Sequence, residues 1–426
     1  MLKKEKACYF EFSDDQITRF FMKVITTAIS TILVKMNDLN KSKRDFLSYC
    51  FCLFLSIQGR LNFLEMARYS DEYTESSCRN HFKEHFDFST FNTELILAHG
   101  SGEYILALDM SYIRKSGKST QGIGKYWSGC SSRAEWGLEA GILAVVDVVN
   151  HTAFSLDAVQ TPNKVQREAL GISYLDYCVS VVLWNKANIT RLSKYLAVDA
   201  YFTKKEFIIP VIEKTGLHII GRLRDDANLR YLYQGKRRVG RGRPTVFGNK
   251  LDWESIDLSL WTKVQEDTKQ IIYEAKLKCE FLKRIIKVSY VIYKGKTGKQ
   301  RTKKYFSTDT DLSAITIQKY YQLRFQEEFL IRDAKQFTGL EHCQARDINK
   351  IEFHWNAALT AVNLAKVTHW LTIPKDKRES FSMKNVKVLY NNKLIIDRIF
   401  SILPNGAKLK KNNPKIAQLY LIGLRE

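Results

Sequence analysis

Two aspartates and one helical stripe are the residues whose types and spacing could do chemistry. Asp109 closes an apolar run, Tyr104–Met110 (YILALDM), that reads as a strand, and Asp199 lies in a second short strand, Leu196–Tyr201 (LAVDAY). A carboxylate at the end of a buried strand is costly unless a cation compensates it. Divalent metals are the natural compensation, because hard cations take carboxylate oxygens. Either aspartate alone reads equally well as the start of a loop or the cap of the next helix. The third element is a helix over Ser313–Phe337. On it Tyr321, Arg324, Glu328 and Lys335 stand at offsets 0, 3, 7 and 14, which at about 100° per residue fall within roughly a 60° arc. A solvated face with an Arg324–Glu328 pair explains the charges, but not why Tyr321 joins the same stripe. Glu327 stands about 100° off the stripe and is set aside.

The spacing Tyr321-x2-Arg324-x3-Glu328-x6-Lys335 resembles in full the Y-R-E-K signature of cut-and-paste DDE transposases from bacterial insertion sequences. The surroundings, Tyr305-Phe-Ser-Thr-Asp309, Arg324-Phe-Gln-Glu-Glu328-Phe and Val198-Asp199-Ala-Tyr-Phe202, are similar to that family's. The likeness covers roughly residues 100–375. It implies an RNase H-like catalytic core in which Asp109, Asp199 and Glu328 bind two Mg²⁺ ions, with Mn²⁺ able to substitute. Two metals about 4 Å apart can activate a water or a DNA 3′-hydroxyl and stabilise the leaving oxygen. Arg324 and Lys335 would grip phosphates near the scissile bond, with Tyr321 beside them. The resemblance further implies double-stranded DNA as partner, both transposon ends and target, and a homodimer on that DNA. In relatives that cut through a DNA hairpin, a tryptophan of the insertion holds a flipped base. Trp253 and Trp261 are the only tryptophans here between residues 226 and 310, and they lie upstream of the expected position. Tyr290, Tyr293 and Tyr305 are the alternative stacking groups.

The elements that must position these residues divide the chain into five stretches: helices over 1–100, a first half of a mixed α/β sheet over 101–225, a β-rich basic insertion over 226–310, the second half with the glutamate helix over 311–375, and a basic, irregular tail over 376–426. Within the first, Leu61–Tyr69 and Glu75–Phe86 form a candidate helix-turn-helix. It would turn at Ser70–Thr74 and aim Arg79, Asn80, His81 and Lys83 at a groove. The expected fold class is therefore α/β: an RNase H-like mixed sheet with flanking helices, interrupted by the insertion and preceded by an all-helical domain.

Charge agrees with a polyanionic partner. The 426 residues carry 67 Lys+Arg against 45 Asp+Glu, a formal charge of +22. From Arg222 to Lys250 nine cations face two acids, and from Lys283 to Lys304 nine face none. Two such runs framing one segment point to nucleic-acid contact. Inside the first, Arg241-Gly242-Arg243-Pro244 spells the core of a minor-groove AT-hook, in which Arg241 and Arg243 would line a narrow A·T groove. A glycine-opened turn in a basic loop is the plainer reading. The longest apolar stretch, Tyr49–Ile57, is about half a membrane span, and no secretion signal opens the sequence. The eight cysteines lack zinc-ligand spacing. These features lead to the expectation of a reduced, cytoplasmic protein acting at the bacterial nucleoid.

Overall fold

The run that begins at Tyr104 forms the central strand of the molecule, and it is longer than its apolar part. In the computed structural model, which describes residues 14–233, 235, 246–295, 300–404, 415–420 and 422–424, strand β1 spans Tyr104–Arg114. Asp109 thus lies mid-strand rather than at its end. The last residues stay paired with β3 although one edge is open to solvent, which is why their polarity hid the strand.

Around β1 lie β2 (Gly124–Ser128), β3 (Arg133–Asp147), β4 (Thr152–Gln160), β5 (Tyr195–Ala197) and β6 (His218–Arg222). The order β4-β3-β1-β5-β6 has three antiparallel strands followed by two parallel ones. This is the mixed RNase H-like arrangement expected from the sequence. The insertion contributes β7 (Leu229–Leu232), β8 (Phe247–Lys250), β9 (Thr262–Glu266), β10 (Gln270–Cys279), β11 (Arg284–Lys294) and β12 (Gln300–Ser307). It does not form a separate sheet. Strand β12 pairs antiparallel with β6, Tyr305 opposite Arg222, so core and insertion share one 12-stranded sheet.

Helices α1 (Asp14–Lys35), α2 (Lys41–Ser56), α3 (Phe63–Arg68), α4 (Glu75–His81) and α5 (Phe88–His99) make the helical N-terminal region. Phe46, Phe51, Phe54, Phe82 and Phe91 are fully buried in a core continuous with that of the sheet. The groove-reading helix expected over Glu75–Phe86 is shorter than predicted, ending at His81. His81 does not face outward. Its ring stacks on Phe46 at 4.0 Å, because the helix is too short to bury its own apolar face without it. Arg79 pairs with Glu75 and lies 4.9 Å over the Phe63 ring.

After β4 comes the short α6 (Lys164–Leu170), none of whose residues is buried; about the sheet pack α7 (Tyr174–Trp184), α8 (Lys186–Leu192), α9 (Lys205–Thr215), α10 (Ala314–Leu323), α11 (Gln326–Phe337) and α12 (Ile348–Lys366). The segment expected to be an irregular tail holds a 20-residue helix, α13 (Met383–Ile402). Met383, Val386 and Tyr390 recur at helical spacing and are buried. Lys387 on the same face donates to the carbonyls of Phe54 and Ile57 at the end of α2, supplying donors to a helix terminus that would otherwise keep unpaired carbonyls.

Helix α12 also closes an edge of the sheet. Among the described residues strand β4 pairs only with β3, and its outer backbone groups are met by side chains of α12. Asn363 accepts from Ser155 N–H at 2.9 Å and donates to Ser155 C=O at 2.8 Å. Asn356 does the same for Ala158 at 2.9 and 2.7 Å. Glu352 accepts from Gln160 N–H, and the Lys366 ammonium donates to Ala153 C=O. Replacing Asn363 by Ala orphans a buried donor and a buried acceptor, and should cost about 3 kcal/mol in urea denaturation. Burial pushes the Glu352 carboxyl up to about 7, with Asp157 adding and the Gln160 N–H opposing. The folded state therefore holds this proton more tightly than the unfolded chain. The contribution is complete below the ordinary glutamate range and is lost as pH rises through about 7. The stability difference between wild type and Glu352→Gln should accordingly shift by about 2–3 kcal/mol between pH 4 and 8, wild type losing ground as pH rises.

Candidate active site

Strand register sets the two aspartates level. Strands β1 and β5 run parallel, with Leu106 opposite Leu196 and Ala107 opposite Ala197. Asp109 follows two residues later within β1, and Asp199 two residues beyond the last residue of β5, the two strands lying about 4.8 Å apart where paired. Strand β5 stops at Ala197, and Asp199 caps the short 3-10 turn Ala200–Phe202. Its Oδ1 accepts from the Tyr201 N–H at 2.9 Å and the Phe202 N–H at 3.4 Å. Oδ2 has no protein partner among the described residues. Asp199 is both the helix cap and the second acid of the pair.

The glutamate helix approaches from the face of the sheet that carries Asp109. Helices α10 and α11 are one predicted helix tightened in the middle. The Glu327 N–H donates to Arg324 C=O and the Glu328 N–H to Phe325 C=O, both three residues back, so the chain turns faster here than 100° per residue. Arg324, its side chain only 14% exposed, reaches Glu328 at 3.6 Å and lies 5.9 Å from the Tyr321 ring. Tyr321 packs on Tyr305 at 4.8 Å. Lys335 donates to Tyr112 C=O at 2.7 Å and pairs with Glu341 at 3.2 Å, tying α11 to β1 three residues beyond Asp109. Tyr321 and Glu328 thus both contact Arg324, while Lys335 meets Tyr112 and Glu341. Arg79 is elsewhere, on the N-terminal helices, and Arg241 and Arg243 lie outside the described residues.

The acids feel one another. Burial pushes the Asp109 carboxyl above its ordinary range, with Arg324 pulling it back and Asp199 pushing it further. Burial raises Glu328 as well, again opposed by Arg324 and reinforced by Asp109 and Asp199. A divalent cation would reverse this balance by favouring the ionised forms, and the free oxygens are hard donors of the kind it prefers. Among the described residues no three acidic, histidine or cysteine side chains are yet close enough to hold a metal. Arg324 occupies the flank of Glu328 in their present arrangement.

A family model described as a transposase DDE domain matches residues 100–364, well over half of the chain. The chain belongs to the DDE transposase family. No curated protein matches it. The matched span begins just before β1 and ends within α12, so it takes in both aspartates, the insertion and the glutamate helix. Among the described residues of this transposase no helix is long and apolar enough to cross a membrane.

One residue set aside on helical geometry is prominent in the transposase structure. Glu327 is fully buried, and neither carboxyl oxygen closes a hydrogen bond among the described residues, although the Asp109 backbone lies toward it. Burial, then the Asp109 charge, hold its carboxyl well above the ordinary range. It lies on the buried face of α11 with Leu330, Ile331 and Ala334, at ordinary helical spacing beside the stripe. Two exposed tryptophans, Trp127 and Trp136, were also passed over. Their signal was an alternation with cations and small residues, Lys125-x-Trp127 and Ala134-x-Trp136. Because Glu327 is buried without a partner, an apolar residue of like length should serve the fold better. Glu327→Met is expected to raise stability to urea by about 1–2 kcal/mol, whereas a loss of stability would show that the carboxyl has a partner in solution.

Proposed function

We propose that the chain is a cut-and-paste transposase of the Y-R-E-K group found in bacterial insertion sequences. It binds the terminal inverted repeats of its element, cleaves the DNA there and joins the 3′ ends to a target, acting as a dimer at the nucleoid. The observation that supports this reading is the parallel register of β1 and β5 just before Asp109 and Asp199, with the Arg324–Glu328 pair acting electrostatically on both.

Asp109, Asp199 and Glu328 would hold Mg²⁺, which Mn²⁺ replaces, and the bound ions supply activation of the attacking oxygen and charge neutralisation at the leaving one. The free Oδ2 of Asp199 and the unsatisfied charge around Asp109 and Glu328 support that donor set. The rest of the work falls to fixed side chains. Phosphodiester displacement asks the protein mainly for positioning and electrostatics. Arg324 is buried among acids that exceed it in charge, so it is held rigidly where a phosphate would arrive. As a phosphate or cation engages, Arg324 can exchange its long contact with Glu328 for a phosphate oxygen, to which a guanidinium binds in bidentate fashion. Tyr321, packed on Tyr305, walls the same side and limits where the guanidinium can swing. Lys335 fixes α11 against β1 through Tyr112, and its exposed flank lies toward the DNA backbone.

The test uses labelled DNA from either side of the coding sequence, incubated with the full chain and Mg²⁺. Asp109→Asn, Asp199→Asn and Glu328→Gln should each lower cleavage by more than about a thousandfold, equivalent to several kcal/mol of transition-state stabilisation, while retaining DNA binding. Glu327→Met should keep most of the activity. Equal nicking by wild type and all three acid variants would refute the assignment, and so would binding by wild type without any cleavage.

A further inference from the structure

Beyond the carboxylates, the face of the sheet that carries Asp109 bears a second feature. Residues directly opposite across antiparallel strands share a face, and every second residue along a strand returns to it. Asp109 pairs with Ile142, so Ala140, Leu138, Trp136 and Ala134 of β3 lie on the Asp109 face. Lys125 of β2 pairs with Trp136, and Trp127 with Ala134. Trp127 and Trp136 are therefore diagonal neighbours on one face, and they are 63% and 61% exposed. Six residues separate Trp136 from Ile142, which places the pair about 20 Å along the strand from the aspartate.

The platform is held from beneath. Tyr126, on the opposite side of β2, donates to Gly122 C=O and lies within hydrogen-bond reach of Thr161 C=O. Tyr112 lies across Gly137, where a side chain would run into its ring, and its hydroxyl donates to Trp136 C=O at 2.7 Å. The two indoles thus project from a fixed hairpin. A cation stands among them: Lys125, directly opposite Trp136, is exposed on the same face, whereas Arg114 and Arg133 alternate to the other face, where Arg133 pairs with Glu135 at 3.0 Å. The insertion tryptophans are engaged by contrast. Trp261 is buried against Tyr290. Trp253 donates to Ala227 C=O and has the Lys304 ammonium 4.3 Å over its ring. The other strongly exposed tryptophan, Trp184, ends α7 on the opposite face, where Val181 packs toward Gly141.

We infer that Trp127 and Trp136 form a stacking platform for unpaired DNA bases, with Lys125, directly opposite Trp136 on the same face, holding an adjoining phosphate. Aromatic faces next to cations suit single-stranded nucleic acid, because every base offers a π-face and every phosphate a charge. A paired base in a duplex interior offers no free face, so the platform selects melted or extruded bases, about six nucleotides from the acids at ~3.4 Å per step. A second copy of this chain is the poorer occupant, since a symmetric contact would bring two net-positive hairpins together. The inference rests on the DNA-acting reading above but not on its catalytic residues.

The test compares the full chain on two labelled duplexes of the same sequence, one fully paired and one with a central unpaired bubble, at fixed salt without Mg²⁺. Wild type should bind the bubble about tenfold more tightly or better. The Trp127→Ala/Trp136→Ala double variant should lose that preference while binding paired duplex as wild type does, and Trp127→Phe/Trp136→Phe should keep most of it. Asp109→Asn should leave the preference intact, which separates failure of the platform from failure of the catalytic assignment. Absence of a bubble preference in wild type, or its survival in the double alanine variant, would overturn the inference. So would sedimentation showing that the alanine variant loses a dimer while its bubble preference is unchanged.

Discussion

Helix α12 does for the edge of β4 what a neighbouring strand would otherwise do, and the geometry of the site depends on it. An open edge is a row of unpaired donors and acceptors, costly when buried. Glu352, Asn356, Asn363 and Lys366 meet that row from a helix. The consequence reaches the acids. Strand β4 is paired to β3 and β3 to β1, which carries Asp109, while α12 packs beside α11, which carries Glu328. Thr338 after α11 donates to Ala358 C=O of α12, and the His354 ring contacts Gly339 C=O at 2.8 Å. One set of side-chain amides thus fixes the separation between the sheet that holds two acids and the helix that holds the third. Asn363 also donates to Asn92 of α5, which ties the N-terminal helices to the same frame.

Within that frame the site is a cluster of acids sharing too little positive charge. Arg324 serves Glu328 directly and Asp109, Asp199 and Glu327 at longer range. A single guanidinium cannot neutralise four carboxyls, and burial makes the shortfall costly. Burial holds the carboxyls of Asp109, Glu327 and Glu328 all above their ordinary range. Such a cluster is poorly explained by stability and well explained by readiness for a cation and a polyanion.

Much of this was legible in the sequence, for identifiable reasons. Asp109 and Asp199 stood out because their apolar neighbours announce strands, and the Tyr321–Lys335 stripe because an α-helix has a fixed period. The insertion strands were legible from alternation: Arg284–Tyr293 was expected and Arg284–Lys294 is observed. What escaped was set by tertiary packing. The far half of β1, where β3 is paired but β5 is not, mixes Met110 and Ile113 with polar residues, so no unbroken apolar run marks it. Glu327 escaped because it joins the buried face of α11 with Leu330, Ile331 and Ala334, where an unpaired carboxylate is not expected. Helix α13 was missed because its buried face includes Lys387, a residue read as part of a basic tail but engaged with α2.

The basic runs changed meaning most on folding. Read along the chain, Lys283–Lys304 is unrelieved positive charge. In the sheet, antiparallel pairing sets it against acids from the stretch before it. Lys287 meets Glu274 at 2.8 Å, and Lys294 meets Glu266 at 3.1 Å. Lys304, largely buried, reaches Asp225 at 3.1 Å. Part of the apparent excess is therefore structural, holding strands in register rather than awaiting phosphate. The charge left for DNA is smaller than the count suggests, but it is better placed. Because β12 continues the sheet beyond β6, the insertion cannot swing freely. Its exposed cations among the described residues, such as Arg301 and Lys303 of β12, keep a fixed bearing on the acids, and successive strands twisted by about 20–25° turn its face progressively away from the plane of β1. A continuous twisted sheet with acids near its middle and cations along one wing suits a long polyanion laid across it better than a compact substrate held in a pocket.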